Sequence, residues 1–189
     1  MHEIEPFYSW RHLYVAADDD RSPFYQRSYS ELEFSQAIYN YLIHPQWDEI
    51  GSSTLYIKIL YADYAEGYAI IEMMGEWNDC LHNDIMYLKR NIIELLIAEG
   101  ITRFILVGEN VLNFFASEDD YYQEWFDEIE DGWIAGLNFR EHVIEEFAQA
   151  RIDYYIAFGG LLDTVEWRIF TPKQLYQRIE ALMMKRLMM

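Results

Sequence analysis

Between Gly75 and Asn110 the chain reads GEWNDCLHNDIMYLKRNIIELLIAEGITRFILVGEN, with apolar positions first at helical spacing and then in an unbroken run. Leu81, Ile85, Leu88, Ile92 and Leu96 fall three or four apart, and Met86, Ile93 and Ile97 widen the stripe, which predicts a helix broad enough to lie on a sheet. Lys89, Arg90, Asn91 and Glu94 are left for water. Gly100 follows the last turn, where a left-handed residue closes a helix without a Cβ penalty, and Phe104 to Val107 then reads as a buried strand. The stretch is the helix and second strand of a β-α-β unit.

Upstream, Leu55 to Leu60 and Tyr68 to Met74 are β-type runs joined by Asp63-Tyr64-Ala65-Glu66-Gly67, a connection of hairpin length. Trp10 to Ala17 predicts a first strand, stopped by Asp18-Asp19-Asp20, a solvated turn without the spacing of a calcium loop. Ser30 and Glu33 form a capping-box pattern, and Phe34, Ala37, Ile38, Tyr41 and Leu42 continue it as a helix until His44-Pro45. Residues 45–53 read as a linker with Trp47 pinning it to the body.

Downstream, Ser117 and Asp120 resemble a cap for a helix with Tyr121, Tyr122, Trp125, Phe126 and Ile129 on one face and acids on the other. Asn138 is placed to cap a second helix bearing Phe139, Val143, Ile144, Phe147 and Ala148. Asp153 to Phe158 and Val165 to Phe170 predict two more strands, and Thr171-Pro172-Lys173-Gln174 opens a closing helix with Lys185 and Arg186 in its last turn. The resulting order predicts a mixed α/β fold: a mixed β-sheet of about five to six strands flanked by helices, with a β-hairpin feeding a β-α-β unit. The expected organisation is one domain over residues 1–189, with 1–50 as an N-terminal strand-helix extension.

Composition narrows the function. The 189 residues are 52% hydrophobic, enough for a sizeable core, and carry 33 acidic against 14 basic residues, a formal charge of -19 that repels phosphate backbones and anionic membranes. Nucleic acid and membrane are therefore not the expected partners. Cys80 is the single cysteine, and no apolar run is long enough to span a bilayer, so the expectation is a cytoplasmic protein.

Two constellations carry chemistry. Met74, Val107 and Phe158 each lead a presumed strand into glycine, and parallel strands with those ends would bring Glu76, Asp79, Glu109 and Asn110 to one edge of the sheet, with Gly159 and Gly160 in an adjoining ligand loop. Such carboxylates suit a hard divalent cation or an acid-base pair. Glycines that merely permit tight turns, with acids facing water, explain the same pattern. The second constellation is SEDDYYQEWFDEIEDGW, in which no basic residue interrupts the acids. Glu124, Asp127, Glu128, Glu130 and Asp131 with Trp125 and Trp133 as anchors would form a docking surface for a basic protein partner, against the plainer reading that the aromatics are core and the acids its wet face. His142, Glu145 and Glu146 lack the second histidine of a zinc-protease helix.

The order strand, Gly75-Glu76-Trp77 turn, long helix, strand, acidic helix, helix, strand over Tyr68 to Phe158 resembles the STAS-type fold of anti-sigma-factor antagonists and their SpoIIAA-like relatives. The resemblance implies binding and regulation through protein contacts. The aspartate-serine pair that carries the family's phosphoswitch is absent, since Ser117 stands in Phe115-Ala116-Ser117-Glu118-Asp119, and the switch is not carried over.

The favoured expectation is a non-catalytic interaction or regulatory module that needs no cofactor and uses residues 118–133. A homodimer is compatible with the Met-rich end. The alternative is a carboxylate- and divalent-cation-dependent hydrolase built on Glu76, Asp79 and Glu109.

Overall fold

A computed structural model describes residues 2–30, 32–34 and 36–189. Strands β1 (His2–Ile4), β2 (Ala37–Ile38) and β3 (Tyr41–Ile43) form a small sheet of order β1-β3-β2. β4 (Asp48–Glu49), β5 (Leu55–Asp63) and β6 (Tyr68–Asn78) follow, and β6 runs directly into α1 (Asp79–His82), α2 (Asp84–Leu88), a π-helical turn (Lys89–Ile93) and α3 (Glu94–Ala98). The rest comprises β7 (Arg103–Phe115), α4 (Asp120–Glu128), β8 (Trp133–Leu137), α5 (Glu141–Gln149) and α6 (Pro172–Leu187).

The main sheet has the order β4-β5-β6-β7-β8, antiparallel from β4 to β6 and parallel from β6 to β8. This is the expected mixed α/β architecture. The Asp63–Gly67 connection closes with Gly67 N–H donating to Asp63 O at 2.8 Å. One face buries Ile57, Ile71, Phe104 and Leu106 beneath Leu88, Ile92, Leu96, Trp125, Val143 and Phe147 of α2 to α5. The other buries Tyr68, Ile70, Ile105 and Val107 beneath Trp10 and Leu175, Tyr176 and Ile179 of α6. Removing this apolar surface from water is the main stabilising term. Among the described residues no helix is long and apolar enough to cross a membrane.

Several expectations are corrected. Trp10 to Ala17 makes turns and a 3-10 segment, because Trp10 plugs the α6 side of the sheet instead of joining a ladder. Among the described residues from Ser30 to His44 there is no helix. Ser30 Oγ does accept from Leu32 N (3.2 Å) and Glu33 N (3.1 Å), yet the chain then turns through left-handed Tyr39 into the β2-β3 hairpin, and Ile38 and Ile43 pack with Trp47, Tyr56, Met74 and Leu112. Burial there outweighs local helical preference. Trp47 does pin its segment, donating from Nε1 to Ile4 O at 2.7 Å. Asp153 to Phe158 contributes only a bridge from Ala157 to Ala135, and Val165 to Phe170 a 3-10 turn, each run serving to bury a plug, Ile156 and Trp167.

The glycines do not end strands. Gly75 lies inside β6 at φ 113°, where a Cβ would sit 2.1 Å from Thr54 O, and Gly108 lies inside β7, where a Cβ would strike the Phe139 ring at 2.4 Å. Both permit close approach. Asn138 is left-handed and flanks no helix; it donates to Val165 O (2.7 Å) and accepts from Val165 N (2.9 Å), while Arg140 precedes α5. The Thr171 capping box forms as expected.

β7 outruns its neighbour. β8 pairs only with Arg103 to Val107, so the rest of β7 has a strand on one side alone. Along that open side Arg140 Nε donates to Glu109 O at 3.3 Å and His142 Nε2 to Leu112 O at 2.8 Å.

Candidate functional site

α4 forms because its aromatic stripe meets the sheet: Tyr122, Trp125 and Ile129 are buried, and Tyr121 and Phe126 half-buried. It begins at Asp120 without a side-chain cap, and Ser117 is exposed, which corrects the expected Ser117 cap. Asp119 accepts instead from the Tyr155 hydroxyl at 2.7 Å.

The outward face is acidic. Asp127, Glu128, Glu130 and Asp131 are exposed and Glu124 half-buried. Asp120, Gln123, Glu124, Asp127 and Glu128 line a shallow depression of about 420 Å³. Trp125 and Trp133 lie in the core, at 0% and 3% exposure, so neither is available as a surface anchor. The aromatic side chain that does stand out beside this helix is Tyr154, whose ring lies 5.9 Å from Phe126.

Beneath the acids sits a residue expected to face water. Lys89 is fully buried, with Nζ 2.8 Å from Glu128 Oε2, 3.2 Å from Glu94 Oε1 and 3.8 Å from Glu124 Oε2. Arg90 adds bonds to Glu94 and, at 3.0 Å, to Glu124. The three carboxylates lie within 4.8 Å of one another, and the ammonium between them neutralises what would otherwise be a repulsive cluster. This also offsets the acids that oppose the dipole at the end of α4. A signal was present in the sequence, since Lys89 stands four residues after Ile85 and four before Ile93, on the buried face. Leu81, expected on that face, is instead 77% exposed, because left-handed Asn83 separates α1 from α2.

Glu76, Asp79 and Glu109 occupy three separate settings. Glu76 accepts from the Tyr39 hydroxyl and from Asn78 Nδ2. Asp79 is buried, accepting from Trp77 Nε1 (3.1 Å), Ile85 N (2.8 Å) and the Tyr122 hydroxyl, and burial pushes its carboxyl up to about 6. Glu109 faces Trp167 Nε1 (2.6 Å), Arg168 and Asn138; burial works against its charged form, but these donors outweigh it and hold its pKa below the usual range. Asn110 is half-buried in β7. Gly159 and Gly160 form a loop tied by Gly159 N to Asp163 Oδ1 (3.0 Å) and by Arg186 to the carbonyls of Phe158 (2.9 Å) and Gly159. The carboxyl edge of the sheet does carry a cleft of about 570 Å³, lined by Glu76, Asn78, Cys80, Leu81, Phe115, Ala116 and Glu146, and Asp79 and Glu109 are not part of its lining.

No protein-family model and no curated protein matches this chain. Among solved structures, the anti-sigma factor antagonist SpoIIAA in its unphosphorylated form is similar at 12% identity, with 66% of this chain and 96% of that chain covered and a TM-score of 0.44. The resemblance to the STAS / SpoIIAA-like fold is one of topology.

Proposed function

We propose that this chain is a non-catalytic protein-interaction module of the cytoplasm that docks a partner with a basic surface on the outer face of α4. One observation carries the reading. The side chains of Glu118, Asp120, Asp127, Glu130 and Asp131 make no hydrogen bond or ion pair within the described residues, and no basic residue lies between Glu118 and Asp131. A surface helix with uncompensated like charges gains from a cationic partner, which steers encounter and fixes register. Glu124 and Glu128, held by Lys89 and Arg90, are fixed points in that field, and Tyr154 supplies an aromatic contact at its margin.

The test compares two triple variants that remove equal charge. Asp127→Asn with Glu130→Gln and Asp131→Asn neutralises the α4 end, and Glu141→Gln with Glu145→Gln and Glu146→Gln neutralises the exposed side of α5. Titrated with a fluorescent lysine-rich helical peptide at physiological salt, the first should lose about tenfold in affinity and the second little, from a few tenths to 1 kcal/mol per surface charge. Equal losses would mean that net charge alone attracts the peptide and would overturn the assignment.

A further inference from the structure

Lys58 is the one charged residue in the apolar run Leu55 to Leu60, and it is 8% exposed. Its ammonium lies 3.7 Å from Asp48 Oδ2 and 4.1 Å from the centre of the Tyr29 ring. Asp48 is shared with other groups, accepting from the Tyr29 hydroxyl and lying 3.3 Å from Arg27 Nε. Glu72 is the cross-strand neighbour of Lys58, yet no ion pair joins them; Glu72 takes the Phe7 N–H at 2.8 Å.

Beside Lys58 is a cavity of about 140 Å³, with Lys58 and Leu60 of β5 in its floor and Phe7, Trp10, Arg11 and Tyr14 in its wall. Arg11, which has no carboxylate partner among the described residues, is close enough to oppose the charge on Lys58. The wall is fastened at two points, by Phe7 N–H to Glu72 and by Trp10 Nε1 to Phe170 O at 3.1 Å. Burial first, and then Arg11 and Arg27, push the Lys58 pKa below its usual value, with Asp48 opposing them. An anion placed between Lys58 and Arg11 would relieve all three effects.

We propose that this cavity binds a small organic monocarboxylate with a single-ring or short branched apolar body, its carboxylate on Lys58 and Arg11 and its body against Phe7, Trp10 and Leu60. Ammonium and guanidinium donors form charge-assisted bonds to a carboxylate. The apolar wall rewards a body that inorganic phosphate lacks, and a dianion would meet Asp48. The size lies well under the roughly 300 Å³ at which drug-sized sites begin. The site is remote in chemistry from the acidic face of α4, so either assignment stands or falls without the other.

Benzoate is the probe, with benzamide as its neutral isostere and inorganic phosphate as the bare anion, followed by amide and indole NMR shifts of the full chain. Saturable benzoate shifts centred on Phe7, Trp10 and Lys58 are expected, with benzamide and phosphate leaving them unmoved. Lys58→Met should weaken benzoate by about tenfold or more, the value of a charge-assisted bond. Arg11→Gln, at an exposed position, should weaken it about threefold. Absent shifts, equal shifts with benzamide or phosphate, or benzoate binding unchanged in Lys58→Met would overturn the proposal. Should Lys58→Met fail to fold, Arg11→Gln and the benzoate-benzamide difference in the unmodified chain decide it.

Discussion

Two buried lysines stand on opposite faces of one sheet and are treated differently. Lys89 has three carboxylates at 2.8 to 3.8 Å, and its charge closes a network between α3 and α4. Lys58 has one shared carboxylate at 3.7 Å and a cavity beside it. A desolvated ammonium is costly unless paired and hydrogen-bonded. The contrast teaches that burial alone does not describe a lysine's setting; the number of carboxylates that face it and the open volume beside it tell these two apart.

Lys89→Met is the strongest challenge to that contrast. It would leave Glu94, Glu124 and Glu128 together without their central cation, and an expected loss of about 3 kcal/mol in urea denaturation reflects a broken buried network whose acids keep some water. A loss under about 1 kcal/mol would show that Arg90 suffices and that the two lysines are equivalent.

Glu72 sharpens the other side of the comparison. Burial pushes its carboxyl up from 4.5 to about 7, opposed by the Phe7 N–H and Arg168. The native state therefore binds more protons than the unfolded chain between these values, and this group's contribution falls as pH rises through that window. Glu72→Gln keeps an acceptor for Phe7 N–H and should gain on the order of 3 kcal/mol at pH 8, with almost no gain at pH 4. Parallel stability-pH curves for the two proteins would refute the assignment. Asp79, raised to about 6, should leave a residual slope of the same sign in the variant.

Lys58→Met should change stability by less than about 1 kcal/mol, since removing a desolvated ammonium offsets the loss of its ion pair to Asp48. A loss equal to that of Lys89→Met would erase the distinction. The smallest effect is expected at Asp127→Asn, in the last turn of α4, where removing a charge unfavourable to the dipole should raise stability by about 0.5 kcal/mol. A loss of stability there would reveal a structural role for the acid beyond docking.

The regular half of the molecule was legible from sequence because period and burial agree there: the Leu55–Met74 hairpin, the helical stripe from Ile85 to Leu96, the Phe104–Val107 strand and the Thr171 cap all follow from local pattern. The remainder was hidden where long-range burial overrides local preference. Ser30 makes the hydrogen bonds of a helix start, yet Ile38 and Ile43 are drawn into a hairpin packed against Met74 and Leu112. Ile156 and Trp167 sit in β-type runs whose role is to fill the core. The acidic tract was visible as composition, but its Trp125 and Trp133 proved to be interior. Lys58 interrupts an apolar run as its one charge, and Lys89 falls four residues from both Ile85 and Ile93, and these positions are the sequence signal that each has a buried environment to answer for.

The overhang of β7 has a consequence for life in a crowded solution. A strand with a free side is a template on which another chain can add itself, the first step toward fibrous aggregates. Here Arg140 and His142 occupy the carbonyls of Glu109 and Leu112, so a foreign backbone finds those acceptors already taken. The same two side chains that flank and begin α5 thus withdraw two acceptors from the set that a pairing strand would use, which is one of the ways an open strand edge is blunted.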